Sequence, residues 1–320
     1  MRNLTLGKLL QSRNFVLLLG ITLGLVFGEE VAFLENYTPY IIGAILAVSI
    51  SSLRFRELLP LKKNLKPIGV TVLVNYFIYG AIVLTLANIF ISSEAFRMGF
   101  VVIAATPPAI AVIPFSINLK GDAQFSIVGI VGGNIAGIFL APLIIMIFSA
   151  QGAIDPMAVV TLILKMLVVP MFVSRLLRVK PVHGFIEKHR SILIDYGFLL
   201  VAMTVIGITR SLLFNNTLEA IIPFLIVVFM MFGLGYLFQL YLNARRIDPH
   251  LIISNKLILV MKNAGFASVM AIGLFEDPHV VLPSAILSVM LPVYYLVQSN
   301  INLFNNLKRI QKKRLAMEAK

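Results

Sequence analysis

The stretch Leu257–Phe275 reads LILVMKNAGFASVMAIGLF and carries a single charge, Lys262, near the middle of an apolar segment. A charged side chain at the centre of a membrane-spanning helix costs about 3 kcal/mol or more, and it usually faces a cavity or a partner. The neighbouring Asn263 and Gly265 are poor helix formers. We therefore expect a broken helix that presents a charge and an amide to a binding site. The alternative is a lysine that reaches a membrane surface or only holds the broken helix together.

The composition is that of a polytopic membrane protein. The chain has 320 residues, of which 59% are hydrophobic and 13% are charged, whereas soluble domains have about 45–50% apolar and about 25% charged residues. It contains no cysteine, which excludes disulfides, thiolate metal sites and thiol nucleophiles. The four histidines do not have the spacing of a metal pair. We expect no metal and no cofactor.

Ten apolar segments approach the length of a membrane span, which is about 20 residues. The first two are short, so the hydropathy alone also permits nine spans. The predicted spans are Phe15–Phe27, Thr38–Leu53, Pro67–Ile91, Met98–Asn118, Phe125–Ser149, Pro156–Leu176, Ile192–Leu213, Ala220–Asn243, Leu251–Phe275 and Val280–Leu303.

The basic residues indicate the orientation of the spans. The formal net charge is +13, and the basic residues cluster in alternate loops and at both ends of the chain, the pattern of cytoplasmic segments. Both termini are then cytoplasmic, which requires an even number of spans and favours ten. This placement argues against nucleic-acid binding. It predicts a multi-pass protein of the plasma membrane (the inner membrane in a Gram-negative cell), with the basic tail, residues 306–320, contacting anionic lipids.

The fourth and ninth predicted spans are both interrupted. The fourth, within VVIAATPPAIAVIPFSINLKGD at 101–122, contains Pro107, Pro108 and Pro114, and proline removes a backbone donor from a helix. Ten spans divide into two sets of five that enter the membrane in opposite senses, and interrupted helices at matching positions indicate a transport site. We expect the two breaks to meet near the middle of the membrane and to expose helix ends there.

Short motifs in these spans resemble the bile acid:sodium symporter family. The motifs are the prolines with the following NLKGD, the FLAPLI that contains Pro142, and VMKNAGFASVMA in the ninth span. The resemblance implies an all-α fold of two inverted five-helix repeats. It also implies a panel domain (residues 14–53 and 156–213) and a core domain (67–149 and 219–305) that contains the crossed helices. Substrates of the family are mostly organic anions, including steroid conjugates and small carboxylates.

The sequence departs from that family where the family binds sodium. By alignment, the family's glutamate falls on Ile258 and its glutamine on Lys262, while a polar pair falls on Val112 and Ile113. Two hydroxyl positions of the fifth span fall on Ile130 and Asn134, whereas an amide of the third span is kept as Asn75. Because sodium needs oxygen ligands, we predict sodium-independent transport. Two roles for Lys262 stay open, a permanent replacement for sodium or a group that exchanges a proton.

Other polar residues in the spans complete the predicted substrate and coupling site. Lys165 lies midway in the sixth span, where it either faces the substrate or reaches the headgroups. Asn75, Asn134 and Asn263 either contact substrate or tie helices together by hydrogen bonds worth about 1 kcal/mol. Asp195 is expected to pair with Arg190 at the interface, with a proton-relay role as the alternative. The predicted set is Lys262, Asn263, Lys165, Asn75, Asn134, Pro107, Pro108, Pro114 and Gly265.

These features predict a secondary transporter of a small organic anion that works by alternating access. A proton-coupled carrier, a uniporter and an exchanger remain alternatives. An intramembrane enzyme is disfavoured because the spans contain no Ser/Lys dyad, paired aspartates or His/Glu metal set. A channel or a membrane sensor is the other class considered.

Overall fold

A computed structural model describes residues 13–51, 61–148, 156–215, 217–275 and 277–318. Several residues of the predicted loops and span ends lie outside this described part of the chain: Arg2, Lys8, Leu53, Arg54, Arg56, Ser149, Asp155, Glu276 and Lys320. Within the described ranges the chain is helical and forms no β-strand beyond one isolated bridge. The all-α prediction is confirmed for these residues.

The described residues contain fifteen α-helices. Three π-helical turns interrupt them, at Leu73–Ile78, Leu164–Val168 and Phe229–Gly233, and two 3₁₀ segments lie at Gly28–Tyr37 and Pro278–Val281. The helices are α1 (Arg13–Phe27), α2 (Thr38–Ser51), α3 (Leu61–Val72), α4 (Tyr79–Phe90), α5 (Glu94–Ala105), α6 (Val112–Asn118), α7 (Ala123–Phe148), α8 (Pro156–Ile163), α9 (Val169–Leu176), α10 (Lys180–Asn215), α11 (Thr217–Val228), α12 (Leu234–Ala244), α13 (Pro249–Val260), α14 (Ala264–Leu274) and α15 (Leu282–Glu318).

Six helical segments of the described residues are long and apolar enough to cross a membrane. Two shorter apolar helices are α13 and α14, the halves of the predicted ninth span. The chain is therefore a multi-pass membrane protein, whereas the number of ten spans stays a prediction. Two predicted boundaries differ most, since α10 begins at Lys180 rather than Ile192 and α15 ends at Glu318 rather than Leu303. Both extensions are rich in lysine and arginine, which are good helix formers in water.

The helices pack in two groups. In the first group, α10 packs along α1 and α2, and α9 packs on α2. In the second group, α7 packs on α3 and α5, and α13 packs on α12, α7 and α6. The division into a panel domain and a core domain stays a prediction.

Two glycines of α1 allow the close approach of α1 and α10. A Cβ atom on Gly20 would lie 2.6 Å from the carbonyl oxygen of Leu199, and one on Gly24 would lie 2.6 Å from that of Met203. Larger residues would force the helices apart.

Candidate functional site

The fourth predicted span breaks at its paired prolines. α5 ends at Ala105, and Thr106 is already extended, with φ −70° and ψ 139°. Pro108 has no N–H, so the carbonyl of Ala104, four residues earlier, loses its helical donor. The chain turns back into a helix at Val112. The break thus exposes a carbonyl oxygen inside the protein, and a buried carbonyl needs a donor.

The ninth predicted span breaks at Met261–Asn263, and the two breaks cross each other. Pro108 and Lys262 form an antiparallel bridge. The Ala109 N–H donates to the Met261 carbonyl over 2.8 Å, and the Asn263 N–H donates to the Pro107 carbonyl over 3.1 Å. Each extended segment therefore satisfies backbone groups of the other. We refer to residues 106–111 and 261–263 as the crossover.

The ammonium group of Lys262 lies in a cage of carbonyl oxygens. Its Nζ atom donates to Asn75 Oδ1 over 2.9 Å, to the Asn75 backbone oxygen over 3.2 Å and to the Ala104 backbone oxygen over 3.0 Å. The side chain is 0% exposed. A lysine ammonium has three donors, so all of its hydrogens are used, and one of them satisfies the carbonyl that Pro108 leaves free.

Two tyrosine rings complete the surroundings of the ammonium. Nζ lies 5.1 Å from the ring centroid of Tyr76 and 5.0 Å from that of Tyr79, distances at which a cation is attracted to an aromatic ring. Tyr76 donates from its hydroxyl to the Gly133 carbonyl over 3.0 Å. Asn75 and Tyr76 belong to the π-helical turn Leu73–Ile78, a feature that is frequent at functional sites. The turn presents both carbonyl groups of Asn75 to one cation.

The predicted amides all lie at or beside the crossover. Asn75 also donates from Nδ2 to the Ile258 carbonyl over 3.2 Å. Asn134 donates from Nδ2 to Pro108 over 3.3 Å and to Ile130 over 2.8 Å, while its Oδ1 is buried without a hydrogen-bond partner in the described part of the chain. Asn263 caps α14, because its Oδ1 accepts from the Phe266 N–H over 3.2 Å. Each amide therefore holds backbone in place.

The structure brings together most, but not all, of the predicted site residues. Lys262, Asn263, Asn75, Asn134, Pro107 and Pro108 meet at the crossover through the contacts above. Pro114 and Gly265 line cavities beside it. Lys165 is exposed in the π-helical turn Leu164–Val168 and lines neither of these cavities. The roles of all these residues in binding and coupling stay predictions.

Three of the positions at which the resemblance places sodium ligands are occupied by buried hydrocarbon. Val112, Ile130 and Ile258 are fully buried. A Cβ on Gly129 would lie 3.5 Å from Ile258 Cδ1, which places α7 directly against this part of α13. Within the described residues, no group of three or more His, Cys, Asp or Glu side chains could hold a metal ion.

Two cavities lie between the two groups of helices. The crossover cavity, of about 70 Å³, is lined by Lys262, Asn263 and Gly265 among others. The α6–α10 cavity, of about 260 Å³, is lined by Pro114 and by Arg190 and Asp195 of α10. Ile110 and Phe198 line both cavities. The cavities thus adjoin at these two side chains, and together they lead from the crossover toward the basic start of α10.

Sequence reasoning missed three parts of this arrangement. In a helix, each N–H donates to the carbonyl four residues earlier. The sequence could therefore have predicted that Pro108, which has no N–H, leaves the carbonyl of Ala104 free. The two tyrosine rings and the π-helical turn had no recognisable signal. The sequence places Arg190 in a basic loop with Asp195 as its expected partner, and not in a cavity wall, because a charge at the start of a span resembles a topology signal.

Comparison with known proteins places these features in a family. No curated protein matches the chain. A family model matches residues 13–300, which cover both interrupted helices and both groups of packed helices. The chain therefore belongs to the SBF-like CPA transporter family (DUF4137).

Proposed function

We propose that this protein is a secondary active transporter of a small organic anion that works by alternating access between a core and a panel. Membership of a transporter family supports transport itself. The two adjoining cavities between the helix groups support a substrate path along their interface. Ligand sites in proteins prefer such interfaces. In this proposal both termini are cytoplasmic, and the chain crosses the membrane ten times.

An inverted repeat of five spans is part of the proposal. Two features recur in the two halves of the chain at matching positions. The third predicted span contains the π-helical turn Leu73–Ile78 and precedes the break at 106–111. The eighth contains the π-helical turn Phe229–Gly233 and precedes the break at 261–263. If the two halves arose by duplication of one five-span unit, corresponding spans would share such an irregularity.

The ammonium of Lys262 carries the proposal of sodium independence. Backbone and amide oxygens surround it, which is the ligand chemistry of a hard cation. The ammonium also links three parts of the second helix group. It connects the crossover, to which Lys262 belongs, with α5 and with the turn at Leu73–Ile78. We propose that the ammonium of Lys262 is a permanent cation that takes the structural role of a bound sodium ion.

A fixed charge is favoured over proton exchange at Lys262. Each of its three contacts is an acceptor, which suits an ammonium with three donors. A neutral amine has only two hydrogens and would turn its lone pair toward a carbonyl oxygen. The nearby tyrosine rings attract a cation as well. Proton coupling, a uniporter and an exchanger remain as alternatives for the transport cycle as a whole.

Counterflow in proteoliposomes tests whether the protein is a carrier. The probe is benzenesulfonate, a strong acid that stays charged and crosses lipid slowly. Vesicles are loaded with unlabelled probe, and the uptake of labelled probe is followed. A carrier accumulates label transiently above its equilibrium level and saturates with concentration. Label that only equilibrates, with flux linear in concentration, would indicate a channel and refute the proposal.

A further inference from the structure

The α6–α10 cavity has one polar wall and one apolar wall. The polar wall belongs to the first helix group and contains Ser49 on α2 with Arg190, Ser191 and Asp195 on α10. The apolar wall includes Ile113, Pro114 and Ile117 of α6. A ligand that fits both walls has a charged end and a hydrocarbon body.

Arg190 has hydrogen-bonding capacity that the protein does not use. Its Nη2 donates to Glu187 Oε1 over 2.9 Å, and its side chain is 27% exposed. Its Nε is buried and has no hydrogen-bond partner in the described part of the chain. A buried Nε cannot meet a ligand from the cavity, but a guanidinium carries five N–H donors in a fixed fork, so those of Nη1 and the second hydrogen of Nη2 remain for an acidic group. Such a fork matches carboxylate and other oxyanions.

The other charged groups near Arg190 set the charge of the ligand. Asp195 is only 5% exposed and accepts a hydrogen bond from Ser191 over 3.1 Å. Glu187 accepts the hydrogen bond from Arg190 Nη2. One guanidinium and two carboxylates carry no net positive charge, so directed hydrogen bonds rather than charge attraction must hold an acidic ligand. A second negative charge on the ligand would add repulsion, which favours a monoanion over a dianion.

Lys262 does not compete for this role. Its three hydrogens are already donated to carbonyl oxygens, and its side chain is buried. It can contribute a positive potential near the crossover, but it has no donor left for a direct contact. Of the two cations, Arg190 is the one that can reach a ligand.

The cavity volume indicates how much of a ligand the cavity encloses. Liquid water occupies about 30 Å³ per molecule, so a space of about 260 Å³ holds on the order of ten non-hydrogen atoms. A steroid conjugate is far larger than this. The two walls and the volume together describe a small organic acid with a compact hydrocarbon part.

We propose that Arg190 binds the acidic group of a small organic monoanion in the α6–α10 cavity, with the hydrocarbon of the ligand against Ile113 and Ile117. This inference rests on the proposed transport function and names the residue that recognises the substrate. It assigns recognition to α10 of the panel rather than to the crossover.

Protection of an introduced cysteine tests the assignment. The chain has no cysteine, and Ile117 lines the cavity and is 52% exposed, so Ile117→Cys gives a single reactive thiol. Purified protein is labelled with a charged methanethiosulfonate reagent. We expect millimolar benzenesulfonate to slow labelling, and we expect dehydroepiandrosterone sulfate, a sulfated steroid, to leave it unchanged.

Charge variants on α10, made in the Ile117→Cys protein, test whether Arg190 holds the ligand. Arg190→Gln should raise the half-protecting concentration of benzenesulfonate by about tenfold to a hundredfold, as expected for losing hydrogen bonds to a charged group. Arg190→Lys should give a half-protecting concentration between those of the wild-type residue and Arg190→Gln. Lys188→Gln removes the same charge from an exposed position of the same helix and should leave protection unchanged. Equal labelling rates without ligand would show that each variant is folded alike.

Three results would overturn the assignment: no protection by benzenesulfonate, equal protection by the steroid, or unchanged protection in Arg190→Gln. Because protection measures occupancy and counterflow measures transport, the two proposals can fail separately. Normal counterflow with unchanged protection in Arg190→Gln rejects the role of Arg190 alone. Protection without counterflow keeps the binding site and rejects the carrier.

Discussion

Replacing Lys262 by methionine should destabilise the protein strongly. Methionine is unbranched and flexible, and it fills the space of the lysine stem without the ammonium. The change leaves Asn75 Oδ1, the Asn75 carbonyl and the Ala104 carbonyl without the donor that they share. Pro108 cannot supply a replacement for Ala104 because it has no N–H. The crossover therefore loses its connection to the turn at Leu73–Ile78.

The size of the effect is a difference between two large contributions. Hydrogen bonds to a charged group stabilise by about 1.5–3 kcal/mol each, so three of them contribute roughly 5–9 kcal/mol. Removing the ammonium also removes the cost of burying it, which is several kcal/mol in proteins. We expect a net loss of about 2–4 kcal/mol in the free energy of unfolding.

Unfolding in mixed micelles measures this loss. The mole fraction of dodecyl sulfate is raised in maltoside micelles, and the near-ultraviolet circular dichroism of the nine tyrosines reports tertiary packing. Lys165→Met is the matched control, because Lys165 is an exposed lysine in a predicted span. The control should unfold like the wild type. If Lys262→Met unfolds at the wild-type detergent fraction, the ammonium does not hold the crossover together.

Two further substitutions test the packing and the pairing at the crossover. Gly133→Ala should destabilise by about 1–3 kcal/mol through overpacking, since its Cβ would lie 2.8 Å from Thr71 Cγ2 and 3.1 Å from Pro108 Cγ. The matched change Gly69→Ala, which meets nothing within 4 Å, should be neutral or stabilising in the same unfolding assay, and equal losses would contradict this packing. Asn75→Leu removes one acceptor of Lys262, so combining it with Lys262→Met should show a coupling of about 1–3 kcal/mol. Additive losses would mean that the two side chains act independently.

Much of the crossover was predictable because its causes are local. The adjacent prolines at 107 and 108 remove two neighbouring backbone donors from a helix, and the charge of Lys262 in an apolar stretch must find partners inside the protein. The family resemblance was confirmed at the level of the SBF-like CPA transporters. The composition also indicated a multi-pass membrane protein without reference to tertiary contacts.

The partners of these residues were less predictable because they are distant in sequence. The amide of Asn75 was singled out, but the π-helical turn that aims both of its carbonyl oxygens at Lys262 depends on tertiary packing. Tyr76 and Tyr79 resemble ordinary span residues. Arg190 looked like part of a cytoplasmic basic loop, whereas the structure places it in the wall of a cavity.

The sodium dependence of transport tests the central claim most directly. Counterflow of benzenesulfonate is measured in proteoliposomes with sodium on both sides, and again with choline in its place, at clamped membrane potential. A sodium gradient is then imposed without any gradient of the probe. If Lys262 replaces sodium, the counterflow rates are equal in both salts and the gradient drives no accumulation. Accumulation of benzenesulfonate against its gradient under inward sodium would contradict the account.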